Sequence, residues 1–148
     1  MVFIKKVIDK PLGQILIEMG ILTSKQLQEA LEFQKKEKMP IGEILISLGF
    51  LKEEDIVYAL SLQYGFPYLP LDNYDVDKEV IAQIPLELCL KYEIIPVDII
   101  GKTLTVATPN PLNIENFKKL EEETGFNVQI FICTKTEYQN ALEKYYKK

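Results

Sequence analysis

The sequence predicts an α+β chain: an N-terminal four-helix repeat bundle followed by a small three-stranded sheet packed with helices. Three observations predict it. A segment that opens Pro11-Leu12-Gly13 and closes at Gln34 returns, without a gap, as Pro40-Ile41-Gly42 to Gln63, at a constant offset of 29 residues, which describes one supersecondary unit used in tandem. Apolar residues keep helical spacing through both copies and then give way to β-branched runs. Between two of those runs, Gly101-Lys102 is a two-residue turn with glycine first, the pattern of a type II′ hairpin.

Each repeat begins with a short amphipathic helix, carried by Leu12, Ile15, Leu16 and Met19 in one copy and by Ile41, Ile44, Leu45 and Leu48 in the other. Pro11 and Pro40 suit a first helical turn, where the missing N–H costs nothing, and Gly20 and Gly49 stand where a left-handed residue ends a helix. An apolar pair follows each stop, Ile21-Leu22 and Phe50-Leu51, and then a second helix starts. Thr23 with Gln26 makes a capping box in the first copy. Lys52 replaces the capping residue in the second, where Glu53, Glu54 and Asp55 compensate in part by facing the helix dipole. The long helices run over Ser24–Lys36 and Glu53–Tyr64, with Leu27, Ala30, Leu31 and Gln34 on one face and Ile56, Ala59, Leu60 and Gln63 on the matching face.

From Gly65 to Asp77 the pattern breaks around Pro67 and Pro70, which reads as a linker. Beyond it lie a helix over Lys78–Gln83, another begun by Pro85 and ending near Tyr92, and strands over Ile94–Ile100 and Thr103–Thr108. A helix over Ile114–Thr124 stops at Gly125, Val128–Ile132 makes the third strand, and Thr134 with Glu137 caps a last helix reaching Tyr146. The organisation expected is a helical-repeat subdomain over 1–64, a linker over 65–77 and an α+β subdomain over 78–148.

Composition removes much chemistry. The 148 residues hold 17 lysines, no arginine, no histidine and no tryptophan. Without histidine there is no Ser-His or Cys-His pair and no imidazole ligand, so neither a catalytic triad nor a metal site is expected. Cys89 and Cys133 each stand among apolar neighbours and read as buried thiols in a reducing compartment. A net charge of −5 opposes nucleic-acid binding, and Lys35, Lys36 and Lys38, interrupted by Glu37, read as a solvated helix end. No apolar stretch approaches the roughly 20 residues that span a bilayer, and the first six residues lack a signal-peptide layout. A cytosolic protein is expected. The carboxylate runs Glu53-Glu54 and Glu121-Glu122-Glu123 read as solvated charge on polar helix faces, so no enzyme activity is expected.

The chain resembles the N-terminal domain of the assembly ATPases of type II secretion and type IV pili. The resemblance rests on the tandem repeats, Gly65-Phe66-Pro67-Tyr68, Ile84-Pro85-Leu86-Glu87-Leu88, Ile95-Pro96-Val97 and Leu104-Thr105-Val106-Ala107. In a subset of that family each repeat is a 24-residue motif, opened by Arg-Leu-Gly and closed by Gln, and two copies five residues apart bind cyclic di-GMP. Here Leu12, Gly13, Leu16, Gly20, Leu27, Leu31 and Gln34 match the first copy; Ile41, Gly42, Leu45, Gly49, Ile56, Leu60 and Gln63 match the second, and Lys35 to Met39 form the spacer. Both opening arginines are replaced, by Pro11 and Pro40.

That replacement has a cost for a nucleotide site. A guanidinium can bond two acceptors on a guanine edge or stack on its face, and proline does neither. Lys10 and Lys38 offer point charges only. At about 1.5–3 kcal/mol for each charge-assisted contact, losing two weakens binding by roughly two to four decades.

The resemblance therefore implies a non-catalytic interaction module that docks on the cytoplasmic part of an inner-membrane secretion or pilus platform protein, with a motor ATPase as a further partner. The charge and the lack of a long apolar stretch lead to the expectation of no nucleic-acid partner and no direct membrane insertion. The alternative is a cyclic di-GMP sensor with the two repeats closing over the ligand. No Gly-x-x-x-x-Gly-Lys-Ser/Thr phosphate loop occurs in the chain. Phe66, Tyr68, Tyr145 and Tyr146 read first as residues that pack the linker between the two halves, and as candidate docking aromatics in the alternative.

Overall fold

A computed structural model describes residues 10–111 and 114–146. The described chain forms two compact units that divide between Gly65 and Phe66.

In the first unit α1 (Leu12–Glu18) and α2 (Ser24–Lys36) form one repeat, α3 (Ile41–Ser47) and α4 (Glu53–Tyr64) the other. Pro11 and Pro40 lie one position earlier than the sequence places them. Their φ of −61° and −56° suit a helix, but ψ is extended, and their carbonyls accept the first helical bonds from Ile15 and Ile44. They are N-caps.

Gly20 and Gly49 take φ of +76° and +78°. Each closes its helix with paired bonds: Gly20 N–H to the Ile17 carbonyl and Ile21 N–H to that of Leu16, and Gly49 to Ile46 with Phe50 to Leu45. This is the double bond pattern a left-handed C′ residue allows. The Thr23–Gln26 capping box is formed. At Lys52, whose side chain has no acceptor, the Asp55 carboxylate takes the Lys52 N–H at 2.8 Å, half of such a box.

The core of this unit consists of Ile15, Leu16, Leu22 and Ala30 with Ile44, Leu45, Leu51 and Ala59, each residue answered by its counterpart in the other repeat. The packing is crossed, with α1 against α4 and α2 against α3. Each short helix is covered by the long helix of the other repeat, so neither repeat completes a core alone.

The second unit is built on β1 (Ile95–Ile100), β2 (Thr103–Thr108) and β3 (Asn127–Ile132) in that order, β1 antiparallel and β3 parallel to β2. Gly101 at φ +59° makes the hairpin turn. Helices α5 (Lys78–Gln83) and α6 (Leu86–Tyr92) precede the sheet, α7 (Ile114–Thr124) connects β2 to β3, and α8 (Lys135–Tyr146) follows. Leu104, Val106, Val128 and Ile130 pack with Cys89, Phe117 and Leu120 into one core. Ile95, Val97, Ala107, Cys133, Tyr138 and Ala141 pack with Leu71 into a second. Glu93 ends α6 in the left-handed region at φ 51°, a place no glycine marks.

The segment read from the sequence as a linker is bonded to this unit over much of its length. Ile132 N–H donates to the Pro67 carbonyl at 2.8 Å and Leu69 N–H to the Ile132 carbonyl at 2.9 Å, so Tyr68 forms a parallel bridge beside β3. A 3-10 turn over Leu71–Asn73 then buries Leu71. Tyr68 donates its hydroxyl to the buried Glu137 carboxylate at 3.0 and 3.1 Å. The anchor is thus a neutral hydroxyl on a carboxylate already bonded to the Thr134 N–H in the capping box of α8.

Candidate functional site

The motif positions of the repeats divide by what each side chain touches. Leu16 and Leu45 are fully buried, and Leu12, Leu27, Ile41 and Ile56 pack around them. Gly13 and Gly42 allow the close approach of the second helix of their own repeat: a Cβ at Gly13 would lie 2.9 Å from Leu27, and one at Gly42 3.3 Å from Ile56. Gly20 and Gly49 are exposed with open space around them, so backbone conformation alone requires glycine there.

The closing glutamines are committed to the backbone. Gln34 Nε2 donates to the Met39 carbonyl at 3.0 Å, and Gln63 Nε2 to the Lys10 carbonyl at 2.8 Å. Met39 and Lys10 immediately precede the two opening prolines, so each glutamine holds the entry to one short helix. Gln63 is 5% exposed and its amide is thereby satisfied in the interior.

The two copies differ most in burial at the last leucine of the motif. Leu60 is buried, as is Val57 one turn earlier, whereas Leu31 is 38% exposed and Gln28 is also exposed. Pro11 and Pro40, where the related motif has arginine, are both exposed. Lys10 is paired with Glu18 at 2.8 Å, which neutralises the point charge expected beside the first opening position. Among the described residues no cluster of His, Cys, Asp or Glu could hold a metal ion, and no helix is long and apolar enough to cross a membrane.

Several sequence expectations need correction here. Tyr145 bonds the Val76 N–H and the Tyr74 carbonyl, Tyr146 bonds the Ile84 carbonyl and the Cys89 thiol, and Phe66 packs against the first sheet core. With Tyr68 on Glu137, all four candidate docking aromatics are half-buried and committed inside the second unit, where the three tyrosine hydroxyls are hydrogen-bonded and the Phe66 ring packs against the core. Within the Glu121–Glu123 run, Glu121 accepts the Val128 N–H at 2.8 Å, and Glu123 bonds both Lys91 and the Tyr92 hydroxyl at 2.7 Å. Lys91 holds the Glu123 carboxyl below its ordinary value, with the tyrosine hydroxyl adding to the effect. Two of these three carboxylates are therefore structural.

Sequence reasoning also passed over Phe33 and Leu62, equivalent positions of the two long helices, which are 41% and 47% exposed. Their signal was an apolar residue off the buried stripe. In the second unit, Val76, Lys78, Ile81, Ala82, Lys144 and Tyr145 line a cleft of about 430 Å³.

Comparison with known proteins places this architecture. The MshEN domain model matches residues 64–148, more than half of the chain. The type IV pilus assembly ATPase PilB of Myxococcus xanthus is 33% identical over 135 residues, covering 91% of this chain and 24% of that protein. The chain spans between 16% and 24% of the length of the PilB proteins it matches. The solved structure of MshE with cdg superposes with a TM-score of 0.81 at 28% identity, covering 93% of this chain and 99% of that one. The N-terminal domain of XpsE shares the fold, with a TM-score of 0.69 at 17% identity over 91% of this chain and 93% of that one. This chain belongs to the MshEN domain family, the family of the N-terminal domains of type IV pilus and type II secretion assembly ATPases.

Proposed function

We propose that the chain is a non-catalytic docking module of a pilus or secretion assembly system, working at the cytoplasmic face of the inner membrane by binding a platform protein there. The observation that carries this reading is the use made of the repeats. Their closing glutamines hold backbone carbonyls and their opening positions are proline, so the motif acts as scaffold and leaves exposed apolar residues such as Phe33 and Leu62 for a protein surface. The test is co-purification of the chain with the cytoplasmic part of the platform protein of the same system. A complex weakened by Phe33→Glu or Leu62→Glu supports the reading; no complex at concentrations that saturate related pairs removes it.

A second reading, a cyclic di-GMP sensor, is favoured by one specific observation. The chain superposes on MshE with cdg, and all fourteen apolar, glycine and glutamine positions of the paired motif are occupied with only Leu-to-Ile changes. Any such site uses Leu12, Gly13, Leu16, Gly20, Leu27, Leu31 and Gln34 with Ile41, Gly42, Leu45, Gly49, Ile56, Leu60 and Gln63. Titration calorimetry with cyclic di-GMP separates the readings. Under the docking reading the wild type gives no heat, and Pro11→Arg with Pro40→Arg creates binding, since both positions are exposed and extended. Wild-type binding in the micromolar range makes the chain a sensor without arginine.

A further inference from the structure

β1 and β3 are the two edges of the sheet. An uncovered edge presents a row of N–H and C=O groups that can take up an extended peptide or the edge of a second copy. We infer that both edges of this sheet are closed to strand addition, and that the closure is completed by two acidic side chains at opposite ends of one row of residues, so that a protein bound by this unit is held through helix and loop surfaces.

The row is Ile99, Leu104 and Val128, which are register partners across the three strands. On the β1 side, Ile100 and Thr103 flank the two-residue turn and are the bonded pair, so the N–H of Ile99 points away from β2. Asp98 Oδ1 accepts that N–H at 2.9 Å. Earlier in the strand the register shifts between Pro96 and Asp98, and Pro96, which is buried, has no N–H to offer.

On the β3 side the outward positions alternate in the same way. Ile132 sends both its N–H and its carbonyl outward, to Pro67 and Leu69. By the period of two, Val128 and Ile130 also face outward. Val128 N–H is taken by the Glu121 carboxylate at 2.8 Å. Ile130 is left between two occupied positions, where an added strand could make no run of consecutive bonds. The bridging segment is itself bracketed by Pro67 and Pro70, which have no N–H with which to extend the sheet further.

Amide hydrogen exchange on the intact chain, read with sedimentation velocity over a range of concentrations, tests this. The wild-type amides of Ile99 and Val128 are expected to exchange slowly although they lie on edges; exchange as fast as that of exposed loop amides overturns the inference without any variant. In Asp98→Ala with Glu121→Ala, both amides should exchange about tenfold faster or more, and the protein should associate with rising concentration, regaining protection at those two amides as it does. Asp98→Asn with Glu121→Gln keeps an acceptor at each place and should behave as wild type. A folded double-alanine variant that stays at the wild-type association state at every concentration refutes closure by these two groups.

Discussion

The side-chain amide of Gln63 donates to the carbonyl of Lys10, 53 residues earlier, at 2.8 Å. The same bond is local in the other repeat, where Gln34 reaches Met39 only five residues on. One interaction is thus used twice, once to turn the chain from the first repeat into the second and once to close the second repeat back on the start of the first. With α1 packed on α4 and α2 on α3, it completes a closed pair in which each repeat depends on the other.

Gln63→Ala is expected to destabilise the chain by about 1–3 kcal/mol, because it removes a buried side chain together with the donor to the Lys10 carbonyl. Gln34→Ala, at a half-buried and local bond, should cost about 0.5–1.5 kcal/mol. Urea unfolding of the two variants checks both the sizes and the order. Equal stability of Gln63→Ala and wild type would show that the bond contributes nothing.

The four repeat glycines should separate into two classes. Gly20→Ala and Gly49→Ala force an L-residue to φ near +76° and +78°, at a cost of about 1–2 kcal/mol each. At Gly13 and Gly42 the backbone is helical, so alanine improves propensity but meets Leu27 at 2.9 Å or Ile56 at 3.3 Å. Gly42→Ala should therefore be the most stable of the four, with Gly13→Ala below it. Thermal melts that rank Gly20→Ala above Gly42→Ala contradict this account.

Tyr68→Phe deprives the buried Glu137 carboxylate of one donor while leaving the ring volume unchanged. The loss should be about 1.5–3 kcal/mol, the range for a hydrogen bond to a charged group, and hydrogen exchange at Leu69 and Ile132 should quicken because the bridge beside β3 loosens. A normal exchange rate at both amides would show that the backbone bonds alone hold the segment.

Burial raises the Cys89 thiol to about 11, opposed in part by its bond to the Tyr146 hydroxyl. The fold holds the neutral thiol, so its contribution is intact below the ordinary thiol value near 9.0 and is lost as pH rises through about 11. Tyr138, raised to about 12 chiefly by burial, adds to the loss at higher pH. Stability measured by urea unfolding should fall between pH 9 and 11, and Cys89→Ala should show a shallower fall. A slope unchanged in Cys89→Ala assigns the effect elsewhere. Iodoacetamide at pH 8 should leave the native thiol unmodified and label it on unfolding.

The elements themselves were legible in the order of residues. Helical spacing around Leu16 and Leu45, left-handed stops at Gly20, Gly49 and Gly125, capping boxes at Thr23 and Thr134, and the Gly101-Lys102 turn all act within a few residues, and the long helices occupy the ranges read from them. The constant offset between the repeats also carries the core, since Ile15 with Ile44 and Ala30 with Ala59 are equivalent by position and equivalent in burial. The candidate site was legible as a motif but not in what its parts do. Nothing near Gln63 in the chain points to Lys10, and nothing near Tyr68 points to Glu137, 69 residues away.

The sequence by itself determined which stretches form the α-helices and strands, with β1 starting one residue later and β3 one residue earlier than read, that two copies of one unit share a core, and that no arginine is available to the motif. Only the tertiary structure decided that the copies pack crosswise, that β3 runs parallel to β2, that the 66–77 segment joins the sheet unit, and that Asp98 and Glu121 end a row of it. The physical reason is one of range. Periodicity, caps and turns are set by groups a few residues apart, whose geometry the chain imposes directly. A side-chain amide, hydroxyl or carboxylate finds its backbone partner only after packing has brought distant segments within hydrogen-bond distance and removed the water that would otherwise satisfy both.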